Sequence, residues 1–182
     1  MLHRVTHRLS QVAAHFTAPE QVDLPESLAH LLTPPARERL QSLSASDHRH
    51  LIDVATSLFE AGASSHTITA GLLHDIGKAA PGTRLRLHHR VAKVIIETIH
   101  PGTLHKLRAK SSPPRGMTPL WVLACHPHLG ANLAATWGYP DRVVWLIANH
   151  ENTHLPAPDL QQLIAADAGR LKPERARMLP YG

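Results

Sequence analysis

Apolar residues recur along this chain at helical spacing. Leu51, Val54, Ala55 and Leu58 fall at i, i+3, i+4 and i+7, a stripe that predicts a helix capped by Asp47 and ended at Gly62. Ile68, Leu72 and Leu73 predict a second helix over 66–74, which sets His74 and Asp75 at its C-terminal end before Gly77. Val91, Val94, Ile95 and Ile99 predict a third over 86–100, stopped by Pro101 and Gly102, and the basic stretch 103–119 that follows reads as a loop or lid. Leu129, Leu133 and Trp137 step by four between 120 and 138, and Pro127 predicts that a helix starts there, with His126 at its entrance. Val143, Ile147 and His150 share one face of 140–151, and Leu160, Leu163, Ile164 and Asp167 one face of 158–171. Ahead of these, 4–16, 25–32 and 35–44 are short helical patterns divided by prolines. No sustained alternation of the kind strands need is present. The expectation is an all-α, compact multi-helix bundle, with 1–44 as a helical extension packed on a single unit at 45–182.

Composition narrows the class. Of 182 residues 43% are hydrophobic, enough for one continuous core, and no apolar run has the length of a membrane span. The N-terminus lacks the apolar block of a signal peptide, and the single cysteine, Cys125, can form no internal disulfide. A cytoplasmic protein with no membrane partner is expected. The formal charge of +5 favours a phosphate-bearing partner, and its cations gather at Lys106, Arg108, Lys110 and Arg115 and again at Arg170, Lys172, Arg175 and Arg177. Nucleic acid and self-association are left open.

Sixteen histidines change the picture, because imidazole is the commonest ligand for transition metals at neutral pH. His50, the pair His74-Asp75, and Asp167 sit on separate predicted helices, and bundles build metal sites from such facing helices. Carboxylates on apolar faces, as at Asp75 and Asp167, are costly unless paired, hydrogen-bonded or bound to metal. Each of these residues taken alone is equally well a hydrogen-bonded core histidine or a helix cap.

Together they carry a family resemblance. The stretches Asp47 to Ala55; Ala70 to Lys78, ending His74-Asp75-Ile76-Gly77-Lys78; His126 to Ala131; and Ile147 to Glu151 followed by Ala166-Asp167 resemble the HD-domain metal-dependent phosphohydrolases in order and spacing. The resemblance implies that His50, His74, Asp75 and Asp167 hold one metal, that Asp75 bridges to a second, and that His126 and His150 complete the coordination of that second ion, as in the two-metal branch. The implied cofactors are two divalent transition-metal ions, iron or manganese first, with nickel, cobalt, zinc or magnesium as alternatives. Two such ions can share a hydroxide as nucleophile while polarising the phosphate. Asp75 and Lys78 are then the catalytic candidates. Lys78, with Lys106, Arg108, Lys110 and Arg115, is a candidate for substrate phosphate. The expected substrate is a phosphoester or phosphoanhydride of nucleotide type.

The HD-GYP branch usually carries two consecutive histidines before Glu, and the first of them is Asn149 here; the literal Gly138-Tyr139-Pro140 precedes His150 and reads as a helix break. Two other classes remain, a non-catalytic helical sensor that keeps an idle metal site and a two-iron oxygenase. Metal analysis separates the first of these, and the presence of Lys78 argues against the second.

Overall fold

In the computed structural model, which describes residues 22–79, 85 and 87–171, every regular element is a helix. The chain runs through α1 (Glu26–Ala29), α2 (Pro34–Gln41), α3 (Ala45–Glu60) and α4 (Ser65–Leu73), then a 3-10 turn (Ile76–Lys78). It continues through α5 (Leu87–Ile99), α6 (Pro101–Arg108), α7 (Thr118–Thr136), α8 (Asp141–Asn149) and α9 (Pro158–Asp167). The all-α expectation holds. The pattern at 4–16 lies outside the described residues, as do Lys172, Arg175 and Arg177.

Two layers of packing flank α7. On one side α3, α4, α8 and α9 close around Leu51, Leu58, Leu72, Leu73, Ile76, Leu146, Ile147, Leu160 and Leu163, all buried, and Leu28, Leu32, Ala36 and Leu40 from α1, α2 and the turn between them join that core. On the other side α5 and α6 lean on α7 through a smaller cluster of Leu104, Leu107, Ala124 and Cys125, with Ile96 packed against it. Cys125 is one of its apolar members, and burial pushes its thiol pKa up. Among the described residues no helix is long and apolar enough to cross a membrane.

Several predicted details are corrected. The cap of α3 is Ser44, whose backbone is extended and whose Oγ accepts from the Asp47 N–H at 3.2 Å, so Asp47 sits inside the first turn. Its carboxylate is engaged instead by Ser44 Oγ and by Arg90 of α5. Pro101 ends one helix and starts another, because a proline at the first helical position gives up an N–H that has no partner there anyway. The 103–119 stretch is therefore half helix. Along α5 the inward stripe passes through Ile96, while Ile95 and Ile99 face outward. On α7 the buried face is Leu123, His126, Pro127, Gly130, Ala131 and Ala134, with Leu129, Leu133 and Trp137 on its flanks. A helix packed on both sides needs small residues where its neighbours come closest.

The largest correction concerns Pro127. The helix α7 runs through it without a break, so His126 lies mid-helix and not at an entrance. A proline there leaves the Leu123 carbonyl without its usual backbone donor, and the His126 ring takes that place with Nδ1 at 2.9 Å.

Gly138-Tyr139-Pro140 is a helix break. Gly138 has φ of 78°, Pro140 caps α8, and the Tyr139 hydroxyl accepts from Thr33 N and donates to Leu31 O, tying the α1–α2 connection to the bundle.

Candidate metal centre

Five helices deliver the six predicted ligands to one place. His50 comes from α3, His74 and Asp75 from the end of α4, His126 from the middle of α7, His150 from the C-terminal cap of α8 and Asp167 from the last residue of α9. They fall into two groups, His50, His74 and Asp167, and Asp75, His126 and His150, within each of which the ligand atoms lie no more than 4.8 Å apart. In the first, Asp167 Oδ1 is 2.9 Å from His50 Nε2 and 3.4 Å from His74 Nε2. In the second, His126 Nε2 is 3.0 Å from Asp75 Oδ1 and 3.2 Å from His150 Nε2. Asp75 joins the groups, since its Oδ2 lies 3.7 Å from His74 Nε2 while its Oδ1 faces His126 and His150.

Three histidines are aimed by the same local device. His74 Nδ1 lies 3.0 Å from Gly71 O, His126 Nδ1 2.9 Å from Leu123 O, and His150 Nδ1 2.8 Å from Ile147 O. A carbonyl only accepts, so each Nδ1 carries the proton and each Nε2 turns its lone pair to the centre. Two of the three stand just past a helix end, where carbonyls of the last turn lack backbone donors, and Pro127 creates the same condition inside α7.

That arrangement fits metal ions. His74 Nε2 is buried without a hydrogen-bond partner, and the His126 and His150 Nε2 lone pairs confront each other. An unsatisfied buried polar atom costs roughly 1–3 kcal/mol, and a cation relieves all three. With metal–nitrogen bonds of about 2.1 Å, neighbouring ligand atoms stand roughly 3.0 Å apart in an octahedron and roughly 3.4 Å apart in a tetrahedron. The 2.9 to 3.8 Å separations here bracket those values.

Electrostatics favour the ligating forms. Burial alone would raise the pKa of Asp75, but Lys78, His74 and His126 outweigh it and hold the carboxyl well below its ordinary range. Burial also opposes ionisation of Asp167, but its hydrogen bond with His50 and the His74 ring beside it keep it ionised. Burial and the neighbouring imidazoles push His150 down to about 3, and burial lowers His126, so both are neutral at pH 7. His74 goes the other way: burial would lower its pKa, but the Asp75 and Asp167 carboxylates outweigh it and raise the pKa, toward the protonated ring.

The cationic candidates separate. Lys78 places its ammonium on Asp75 Oδ2, and Asp75 and Asp47 together overcome the burial that would lower its pKa. Arg108 reaches the rim, with Nη2 2.8 Å from Glu151 Oε2. Lys106, Lys110 and Arg115 are exposed and enter none of the ion pairs of the described residues. Sequence reasoning missed Lys93, whose Nζ is 2.6 Å from Glu151 Oε1, and the position of Glu151 itself, 3.9 Å from His126 Nε2. The available signal was Glu151 following His150 directly. Asn149 turns away and donates to Trp145 O.

Gly77 explains why the turn can lie so close to α7. A Cβ there would meet His126 O at 2.2 Å and Gly130 N at 2.7 Å.

Pro127→Ala is expected to add a backbone bond to α7, raise the melting temperature slightly, and weaken metal binding at the Asp75–His126–His150 group roughly tenfold, as loss of an orienting contact does. Competition titration with a chromophoric chelator checks it; unchanged affinity would show that His126 is aimed without the freed carbonyl.

Compared with known families, the chain matches the HD domain over residues 48–178. No curated protein and no solved structure matches it.

Proposed function

The chain belongs to the HD-domain family, and from that premise we propose that it is a metal-dependent phosphohydrolase cleaving a phosphoester or phosphoanhydride bond in a nucleotide-type substrate. One observation carries the reading: the two oxygens of Asp75 face two separate groups of imidazole and carboxylate ligands. Four imidazoles and two carboxylates are a borderline set, suited to iron or manganese before nickel, cobalt or zinc, and less to magnesium. Bound there, two ions supply an acidified water for attack and positive charge for the phosphoryl oxygens.

The chain's own residues do the rest. Backbone carbonyls of Gly71, Leu123 and Ile147 hold three imidazoles in one tautomer. His74, Asp75, His126 and His150 are at most 4% exposed and keep bulk water from the ligand atoms, whereas the Asp167 side chain at 36% and Glu151 at 32% mark where solvent and substrate reach the row. Lys78 keeps Asp75 ionised and stands where its ammonium can also meet a phosphoryl oxygen.

Purified protein with Mn(II) or Fe(II) is expected to hydrolyse members of a phosphodiester and nucleotide panel, and His74→Ala to abolish this. Turnover surviving that change would reject the site. Added Mn(II) at about 100-fold over its dissociation constant is expected to stabilise the fold by about 2.7 kcal/mol per site, or roughly 5–10 °C in Tm for a chain of this size. A chelator should reverse the shift; no shift with any transition metal would favour the idle-site sensor.

A further inference from the structure

Glu151 is one carboxylate gripped by two cations from different helices. Oε1 accepts from Lys93 Nζ of α5 at 2.6 Å, and Oε2 from Arg108 Nη2 of α6 at 2.8 Å. The same Oε1 stands 3.9 Å from His126 Nε2. Steps of 2.6 Å and 3.9 Å laid end to end cap the distance from the Lys93 ammonium to that ligand nitrogen at about 6.5 Å. A phosphoryl group held at the metal centre has its neighbour in a diphosphate within that reach.

Charge and geometry both leave room for an anion. Two cations face one carboxylate, so the trio carries one net positive charge. Arg108 is fixed by a bond from Nε to Ala124 O at 2.9 Å, and it meets Glu151 through a single nitrogen, so the two-pronged face that suits a phosphate is not used up. Lys93 and Arg108 are 14% and 38% exposed at the side chain, which makes Lys93 preorganised and Arg108 reachable.

We propose that Lys93 and Arg108 bind the second phosphoryl group of a substrate that carries two in sequence, with Glu151 holding both cations in position until that group arrives. The inference rests on the phosphohydrolase reading for the first phosphoryl group, and it narrows the substrate from phosphoesters or phosphoanhydrides to phosphoanhydrides. The rival account makes the trio a latch that only fastens α5 and α6 to the bundle.

Calorimetric titration of the protein with inorganic pyrophosphate and with inorganic phosphate, once with chelator and once loaded with Mn(II), separates the two. The wild type is expected to prefer pyrophosphate by at least about tenfold, and Lys93→Met with Arg108→Met to lower that ratio by about tenfold. Arg142→Met removes a cation from a pair with Asp159 elsewhere and is expected to leave the ratio unchanged. Glu151→Gln discriminates most sharply, since it breaks a latch but frees the cations: the ratio should stay or rise. A ratio that falls in Glu151→Gln as in the double variant, or that ignores Lys93 and Arg108, overturns the subsite. The phosphohydrolase reading has its own readout, turnover of the phosphodiester and nucleotide panel with Mn(II). Turnover without a cation-dependent ratio removes the subsite alone, and a cation-dependent ratio without turnover supports the subsite while removing the reading beneath it.

Discussion

Asp75→Asn is expected to lower turnover by about three orders of magnitude or more, close to 4 kcal/mol at the transition state, and separately to destabilise the metal-free fold by roughly 3–5 kcal/mol. The two losses have different origins. Asp75 faces both ligand groups through its two oxygens, so a neutral amide deprives each of an anionic oxygen and metal content should fall with activity. The stability loss belongs to Lys78, whose largely buried ammonium would lose its partner carboxylate. Removing one member of a buried pair costs more than replacing both, because the survivor remains charged in a medium that solvates it poorly. Asp75→Asn combined with Lys78→Met should therefore recover most of the stability in urea unfolding with chelator present, yet regain neither metal nor turnover. A double variant no more stable than the single one would refute the ion-pair account; Asp75→Asn with full metal content would refute the centre itself.

Gly77→Ala comes next in size. The added methyl would land 2.2 Å from His126 O and 2.7 Å from Gly130 N, both backbone atoms of α7 that no rotamer change can move. The turn must back away from the helix. Overpacking of this kind costs typically 1–3 kcal/mol, and the absence of a flexible neighbour places this case at the upper end. The functional loss is expected to be larger, because the same movement separates Asp75 Oδ1 from His126 Nε2, now 3.0 Å apart. Metal affinity at that group should fall by roughly 10–100-fold. Gly71 provides the contrast: a methyl there meets Leu58 Cδ1 at 2.7 Å, the end of a side chain that can rotate aside. Metal analysis by mass spectrometry alongside thermal melts checks the pair. If Gly77→Ala retains both ions and its melting temperature, the close approach of turn and helix has no role in assembling the centre.

Much of this was legible in the residues. The spacing of Leu51, Val54, Ala55 and Leu58, like that of Leu160, Leu163 and Ile164, fixes a buried stripe because 3.6 residues make a turn, and His50 and Asp167 lie on the same stripes. The sequence also singled out six candidate ligands through the resemblance of their motifs, and the folded chain brings those six together. Local rules failed where two local preferences competed. Asp47 and Ser44 are both good caps, and Ser44 takes the place while the Asp47 carboxylate bonds back to it and to Arg90, 43 residues away. Pro127 is a sound start signal for a helix, yet here packing on both faces of α7 and a ring bond to the freed carbonyl carry the helix through it.

By itself, then, the order of residues determined most of the helices, the inward faces of α3, α4, α8 and α9, and the kinds of atom available as ligands, since these follow from periodicities and chemistries a few residues long. Which Asp75 oxygen faces which group, the confrontation of the His126 and His150 nitrogens, and the gathering of Lys93 and Arg108 on Glu151 were decided only by the tertiary structure. Each depends on distances between helices far apart along the chain, and those distances are set by side-chain volumes at the contacts, such as the missing methyl of Gly77 against α7.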